Sequence, residues 1–239
     1  MRFCLASLLL VVAFLARPCW AGSETAPEPG GAVSGRITFR GELAKSQPSN
    51  AVEGSDSHIQ RHANEDVLIS ADGGLQNVVV YVKKGIAARK FPVPAEPLII
   101  NQHVGRFEPR IAAVMAGQSV QINNCDALVH KVRSENEENF PLNADLRPGA
   151  GQTFQLPFPE RAFTISCADH PWMRAQCWVF NHPYFAISSA DGGFALAALP
   201  PGQYTIAAWH ERLGEKQQKI TVKPGEKLDV RFVFERTKK

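Results

Sequence analysis

The chain has 239 residues, 44% hydrophobic and 21% charged, with a formal net charge of +3. That length can bury one large core or two small ones. So balanced a charge argues against a nucleic-acid binder, which would carry a basic stripe.

Met1 and Arg2 make a short basic start, and Phe3 to Ala16 is an apolar run too short to span a bilayer comfortably. Ala21 then offers a small residue before a cut, so residues 1–21 read as a secretory signal peptide with Gly22 the first mature residue. A lipoprotein cut at Cys19 is disfavoured by Arg17 and Pro18 ahead of it. Losing Arg2 and Arg17 takes the balance to about +1, and losing Cys4 and Cys19 leaves Cys125, Cys167 and Cys177. Three is an odd number, and in an oxidising compartment one thiol is left over or given a task. The expected location is periplasmic or secreted, with no membrane span in the mature chain.

Residues 22–31 read as a flexible polar leader. "AVSGRITFRGEL", from Ala32, alternates apolar and polar residues as a half-buried strand does. Residues 44–74 are polar and weakly patterned. His58 and His62 stand four apart there, but no third ligand is near, so metal binding is not expected of them. "LQNVVVYVKKG" (Leu75 to Gly85) is the next clear strand. From about Pro92 onward, short strands alternate with turn signals such as "ADGG", "PPGQ" and "KPGE", and no helical period is convincing. The pattern is that of an all-β sandwich or a pair of sandwiches, with no internal repeat.

"DGGFALAALPPGQYTIAAW" carries a nearly intact G-x-F-x-L-x-x-L-P-P-G-x-Y pattern. With "GAVSGRITF" and "LQNVVVYV" it resembles the carboxypeptidase-regulatory-like (Cna-B or transthyretin-like) β-sandwich. The two half-motifs stand roughly a hundred residues apart, room enough for a domain. The expected organisation is a sandwich formed by 32–91 and 184–239, with a second domain at 92–183 inserted into it.

The insert contains "CADHPWM", residues 167–173. A soft copper site uses a thiolate, two imidazoles and a weak axial thioether. Cys167, His170 and Met173 would share one tight loop, and "INNCDALVHKV" supplies a second histidine, His130, from another strand. Each residue has an ordinary reading alone: a half-cystine, strand-end or loop histidines, a core methionine. In this order and spacing they resemble the cupredoxins, in the short-loop amicyanin type, over roughly residues 92–183.

That resemblance implies a Greek-key cupredoxin-like sandwich holding one type 1 copper on His130, Cys167, His170 and Met173. It also implies that Asn124, six residues before the first histidine, ties the ligand-bearing segments together. Pro171 and Trp172 would form an apolar collar beside His170. Lys131 departs from the asparagine often found after the first histidine. If Cys167 holds copper, Cys125 and Cys177 remain; a disulfide between them near the site is favoured, the alternative being that both stay reduced.

His182, His210 and Glu211 could form a second metal site or, the favoured reading, line the contact between the sandwiches. The H-x-H and H-C-H spacings of multicopper oxidases and copper nitrite reductases are missing. The expected function is electron carriage between unidentified periplasmic redox partners, without catalysis or nucleic acid. The alternatives are a non-redox carbohydrate- or protein-binding module and a copper-delivery protein.

Overall fold

The structure is a computed structural model that describes residues 29–41 and 67–235. The signal-peptide expectation, most of the polar leader and the His58/His62 pair fall outside the described residues. The described residues are all-β, with sixteen strands, β1 to β16 in chain order, and no helix. None of their elements is a helix long and apolar enough to cross a membrane.

The strands form four sheets. In the first, β1 (Ala32–Arg40) runs between β13 (Gly193–Ala195) and β16 (Lys227–Glu235), pairing antiparallel with β13 and parallel with β16. The second has the order β12 (Phe185–Ile187), β2 (Val79–Lys84), β14 (Gly202–His210), β15 (Gly214–Val222). The third runs β5 (Ile111–Met115), β11 (Arg174–Phe180), β10 (Glu160–Cys167), β7 (His130–Ser134), β8 (Asn143–Leu146). The fourth runs β4 (Arg106–Glu108), β3 (Leu98–His103), β6 (Ser119–Asn124), β9 (Gly151–Gln155).

Three apolar cores bind these sheets into successive layers. One, with Ile37, Val80, Ile206 and Phe234, lies between the first and second sheets. Another, with Ile100, Ile122, Val132, Ile165 and Cys177, lies between the third and fourth. Val79, Tyr81, Ile111, Trp178, Phe180 and Ala207 form a smaller core where the second sheet meets the third. Side chains on a strand point to opposite faces in turn, so β2 sends Val80 and Val82 one way and Val79 and Tyr81 the other. That is why its sequence is a continuous apolar run rather than an alternation. Along β11, likewise, Ala175, Cys177 and Val179 face one core while Trp178 and Phe180 face the other.

The contact between the second and third sheets is mainly aromatic. Trp178 stacks on Phe180 at 5.4 Å and meets Tyr81 at 5.2 Å and Trp209 at 5.3 Å. Two ion pairs bridge the same contact, Arg110–Glu211 at 2.7 Å and Arg161–Glu215 at 3.4 Å. The Arg161 side chain is exposed, and such a pair contributes about 0–1 kcal/mol, whereas the Arg110–Glu211 pair is partly buried. An aromatic ring buries roughly 150–250 Å², so the rings supply most of the buried area of this contact.

A turn sequence does recur, contrary to expectation. Ser70–Ala71–Asp72–Gly73–Gly74 and Ser189–Ala190–Asp191–Gly192–Gly193 are identical in sequence. In each, the serine hydroxyl donates to the aspartate Oδ1 at 2.6 Å and the serine carbonyl accepts from the first glycine's N–H. The two turns pack together so tightly that a Cβ on Gly74 would stand 2.0 Å from the Asp191 carbonyl oxygen. Arg36 joins them, donating to Asp72 Oδ2 and to the Asp191 carbonyl. Five residues are too short a repeat to stand out by periodicity.

Candidate metal centre

Two neighbouring strands and one loop build the centre. His130 opens β7, Cys167 closes β10, and the antiparallel register sets Cys167 opposite Val132, so both residues stand at the same end of the sheet. The connection from β10 to β11 consists of two successive turns. His170 N donates to the Cys167 carbonyl at 3.3 Å, and Met173 N donates to the His170 carbonyl at 2.9 Å. Pro171 occupies the second position of the second turn, where its fixed φ is favourable. The C-x-x-H-x-x-M spacing thus places each residue at the start or end of a turn. The Met173 carbonyl accepts from Cys167 N at 3.2 Å and closes the loop, while Ala168 N donates to the Lys131 carbonyl at 2.9 Å and binds it to β7.

Three donor atoms converge. His130 Nδ1 and His170 Nδ1 are 3.2 Å apart, and Cys167 Sγ lies 3.7 Å from the first and 3.3 Å from the second. The side chains are buried: His130 is 0%, Cys167 2% and His170 8% exposed. No other group of three or more His, Cys, Asp or Glu side chains converges in this way among the described residues. Met173, 1% exposed, packs in the same core cluster as Cys167.

The electrostatics favour charged forms, a thiolate on Cys167 and an imidazolium on His130. Burial pushes the Cys167 thiol up, but hydrogen bonds with His130 and then His170 outweigh it and bring the thiol down to about 6. Burial would lower the His130 imidazole, yet Cys167 and Asp126 together hold it above its ordinary value. The thiolate is the metal-binding form of cysteine, whereas the His130 imidazole, held above its ordinary value, must be neutral to act as a ligand.

Asn124 lies 1% exposed at the end of β6. Its Nδ2 donates to the Leu128 carbonyl at 2.6 Å and the Leu146 carbonyl at 2.8 Å, and its Oδ1 accepts from Asp126 N at 2.9 Å. These bonds hold the loop leading to His130 against β8; the side chain's bonds go to that loop and strand rather than to residues 167–173. Trp172 sits beside His170, ring centroids 5.2 Å apart, and is 39% exposed. Lys131 Nζ reaches Asp169 Oδ1 at 3.1 Å, an exposed strap from β7 to the loop.

The Cys125–Cys177 bridge is not formed. Both cysteines are free: Cys125 is exposed just past β6, while Cys177 is sealed in the core on β11, where burial pushes its thiol up to about 12. Cys177 faces that core because it alternates with Trp178 along the strand, a register the spacing alone does not reveal.

His182, His210 and Glu211 are not gathered into one group. His182 Nδ1 accepts from Tyr184 N at 3.2 Å, and its ring lies between those of Phe180 and Tyr184. Burial lowers the pKa of its imidazole. His210, 1% exposed, accepts from Arg212 N at 3.1 Å. Glu211 takes two hydrogen bonds from Arg110, at 3.0 and 2.7 Å, across the contact between the second and third sheets.

Sequence reasoning missed Asp126. Its Oδ2 lies 2.9 Å from His130 Nε2. The signal was a carboxylate four residues before the histidine in "DALVH", but in a loop that spacing has no periodic meaning.

No family model matches the chain, and none of the curated proteins does. Its neighbours among solved structures are cupredoxins. A copper-containing nitrite reductase (NirK) from Thermus scotoductus has a TM-score of 0.35 and 16% identity, over 41% of this chain and 26% of the reductase. An oxidized mutant of amicyanin has a TM-score of 0.33 and 18% identity, over 36% of this chain and 85% of amicyanin. A purple cupredoxin from Nitrosopumilus maritimus has a TM-score of 0.30 and 18% identity, over 34% of this chain and 98% of the cupredoxin.

Proposed function

We propose that this chain is an exported type 1 copper protein that carries single electrons between redox partners. The observation that carries this reading is the convergence of two imidazole Nδ1 atoms and one thiol sulfur within 3.7 Å of one another, in a buried pocket. Thiolate with two imidazoles and a weak thioether is the donor set that suits copper in both oxidation states. His130, Cys167 and His170 would hold the ion, with Met173 as the axial donor. Bound there, copper would supply a one-electron couple with little change of geometry between its two states.

The protein's own part is to position and to shield. The two turns from Cys167 to Met173 fix three donors on one short loop, and the β7–β10 register fixes the fourth. Four protein ligands leave no open position for a substrate, which supports a carrier over a catalyst. The His170 ring, covered by the half-exposed Trp172, is the proposed exit for the electron. We also propose the nested organisation, with 92–183 as the cupredoxin-like domain and 32–91 with 184–239 as the carboxypeptidase-regulatory-like sandwich. It is supported by the separate cores of β3–β11 and of the remaining strands.

Adding Cu(II) to the purified mature protein tests the reading. An intense visible thiolate-to-copper band is expected in wild type and lost in Cys167→Ser, whose circular dichroism stays that of a folded β protein. A wild type without the band, or one isolated with Cys167 in a disulfide, would refute the assignment.

A further inference from the structure

We propose that Asp126 is a positioning residue that decides which nitrogen of His130 faces the thiolate. The inference rests on the metal-site reading above and adds to it a residue outside the ligand set.

The argument starts from the donor inventory of a carboxylate. Asp126 Oδ2 lies 2.9 Å from His130 Nε2, and an ionised carboxylate only accepts. Nε2 must therefore carry a proton, which in the neutral imidazole leaves the lone pair on Nδ1, the atom that faces Cys167 and His170. His130 is wholly buried, so bulk water does not compete for Nε2. A metal-ligating histidine commonly donates its other N–H to a carboxylate, and loss of such a partner costs about 10–100-fold in metal affinity.

The carboxylate is itself held from two sides. Its backbone N–H donates to Asn124 Oδ1 at 2.9 Å, and Asn124 is anchored to the Leu128 and Leu146 carbonyls. From the other side, Val104 N donates to Oδ1 at 2.6 Å and Gly105 N donates to Oδ2 at 3.0 Å. Val104 and Gly105 both have positive φ, 50° and 69°. Successive backbone N–H groups turned toward one anion form an anion-binding nest. A left-handed backbone is costly for a valine, and the carboxylate gives it a partner. The exposed turn between β3 and β4 is thus joined through one carboxylate to a buried ligand ring.

The test is histidine-selective 15N nuclear magnetic resonance of the metal-free protein at pH 8 and of the Cu(I)-loaded protein. In wild type, His130 is expected to show a slowly exchanging Nε2–H in both forms. In Asp126→Asn, the side-chain amide can donate as well as accept, so that signature is expected to weaken or shift to Nδ1–H. Cu(I) affinity, measured by chelator competition, is expected to fall about 10–100-fold. Lys131→Ala breaks the neighbouring exposed strap without touching His130 and is expected to keep the signature. Three results would overturn the inference: no protected Nε2–H in wild type, an Asp126→Asn variant matching wild type in both readouts, or a Lys131→Ala variant that loses the signature equally. The wild-type spectrum needs no variant to fold. The metal-free spectrum also decides the case if copper does not bind, which would sink the metal reading separately.

Discussion

Glu160 offers a quantitative test of the scaffold, because its carboxylate is 7% exposed and organises the loop between β7 and β8. It accepts from Glu137 N at 2.6 Å through Oε1. Through Oε2 it accepts from Asn136 Nδ2 at 3.1 Å, Asn139 N at 3.2 Å and Asn139 Nδ2 at 2.7 Å. Asn139 passes the constraint on, donating to the Phe158 carbonyl and accepting from Phe158 N. Replacement by glutamine keeps the shape but turns one acceptor into a donor. If the amide oxygen takes the three-bond position, the new NH₂ faces the Glu137 N–H and a charge-assisted bond becomes a clash of donors. One lost bond to a charged group is worth about 1.5–3 kcal/mol, so Glu160→Gln should cost about 2–3 kcal/mol, a sizeable share of the roughly 5–15 kcal/mol of a typical domain.

The pH dependence of stability carries a second signature. Burial raises the Glu160 pKa, but bonds from Asn139, the Glu137 N–H and Asn136 outweigh it and hold the carboxyl below its ordinary 4.5. A depressed folded-state pKa gives stability that is full above the unfolded value and lost as pH falls through the folded one. Urea unfolding of the metal-free protein at pH 7 and through the acid range would measure both effects. The variant should be less stable at pH 7 and flatter below about pH 4.5. A loss at pH 7 under about 0.5 kcal/mol, within the scatter of ordinary surface substitutions, or an unchanged acid slope would refute the reasoning. Glu160 and Cys167 stand at opposite ends of β10, so the copper band should survive in the folded variant.

Met173→Leu should keep copper but raise its reduction potential, because a weak axial donor helps stabilise Cu(II); a redox titration showing no shift would place the thioether outside the site. Brief alkylation of the folded, copper-loaded protein, followed by peptide mapping, should label the exposed Cys125 and spare Cys177, whose buried thiol is pushed up to about 12. Labelling of both at similar rates would contradict the packing of β11. Trp178→Ala should destabilise by about 3–5 kcal/mol, as large-to-small core changes do. Trp178→Phe should cost much less, since the buried Trp178 Nε1 has no hydrogen-bond partner to lose. Denaturant unfolding would compare the two, and equal losses would argue against the unpaired indole.

The C-x-x-H-x-x-M segment was readable from the chain because its chemistry is local: two turns join Cys167, His170 and Met173 whatever the rest of the molecule does. The strands β1 and β2 were legible for the same reason, from apolar patterning and turn residues a few positions apart. The short strands β4, β8 and β12 were not, since three or four residues carry too little pattern. Nothing local decided how β7 registers against β10, and that register brings His130 Nδ1 to 3.7 Å from the Cys167 sulfur. Nor did local pattern reveal that Cys177 faces a core while Trp178 faces the next sheet, or that Asp126 bonds the far side of the His130 ring. Side-chain direction on a strand reverses at every residue, so the partners of these groups depend on which sheets stack against each face. Contacts across sheets are settled only when the whole chain has packed.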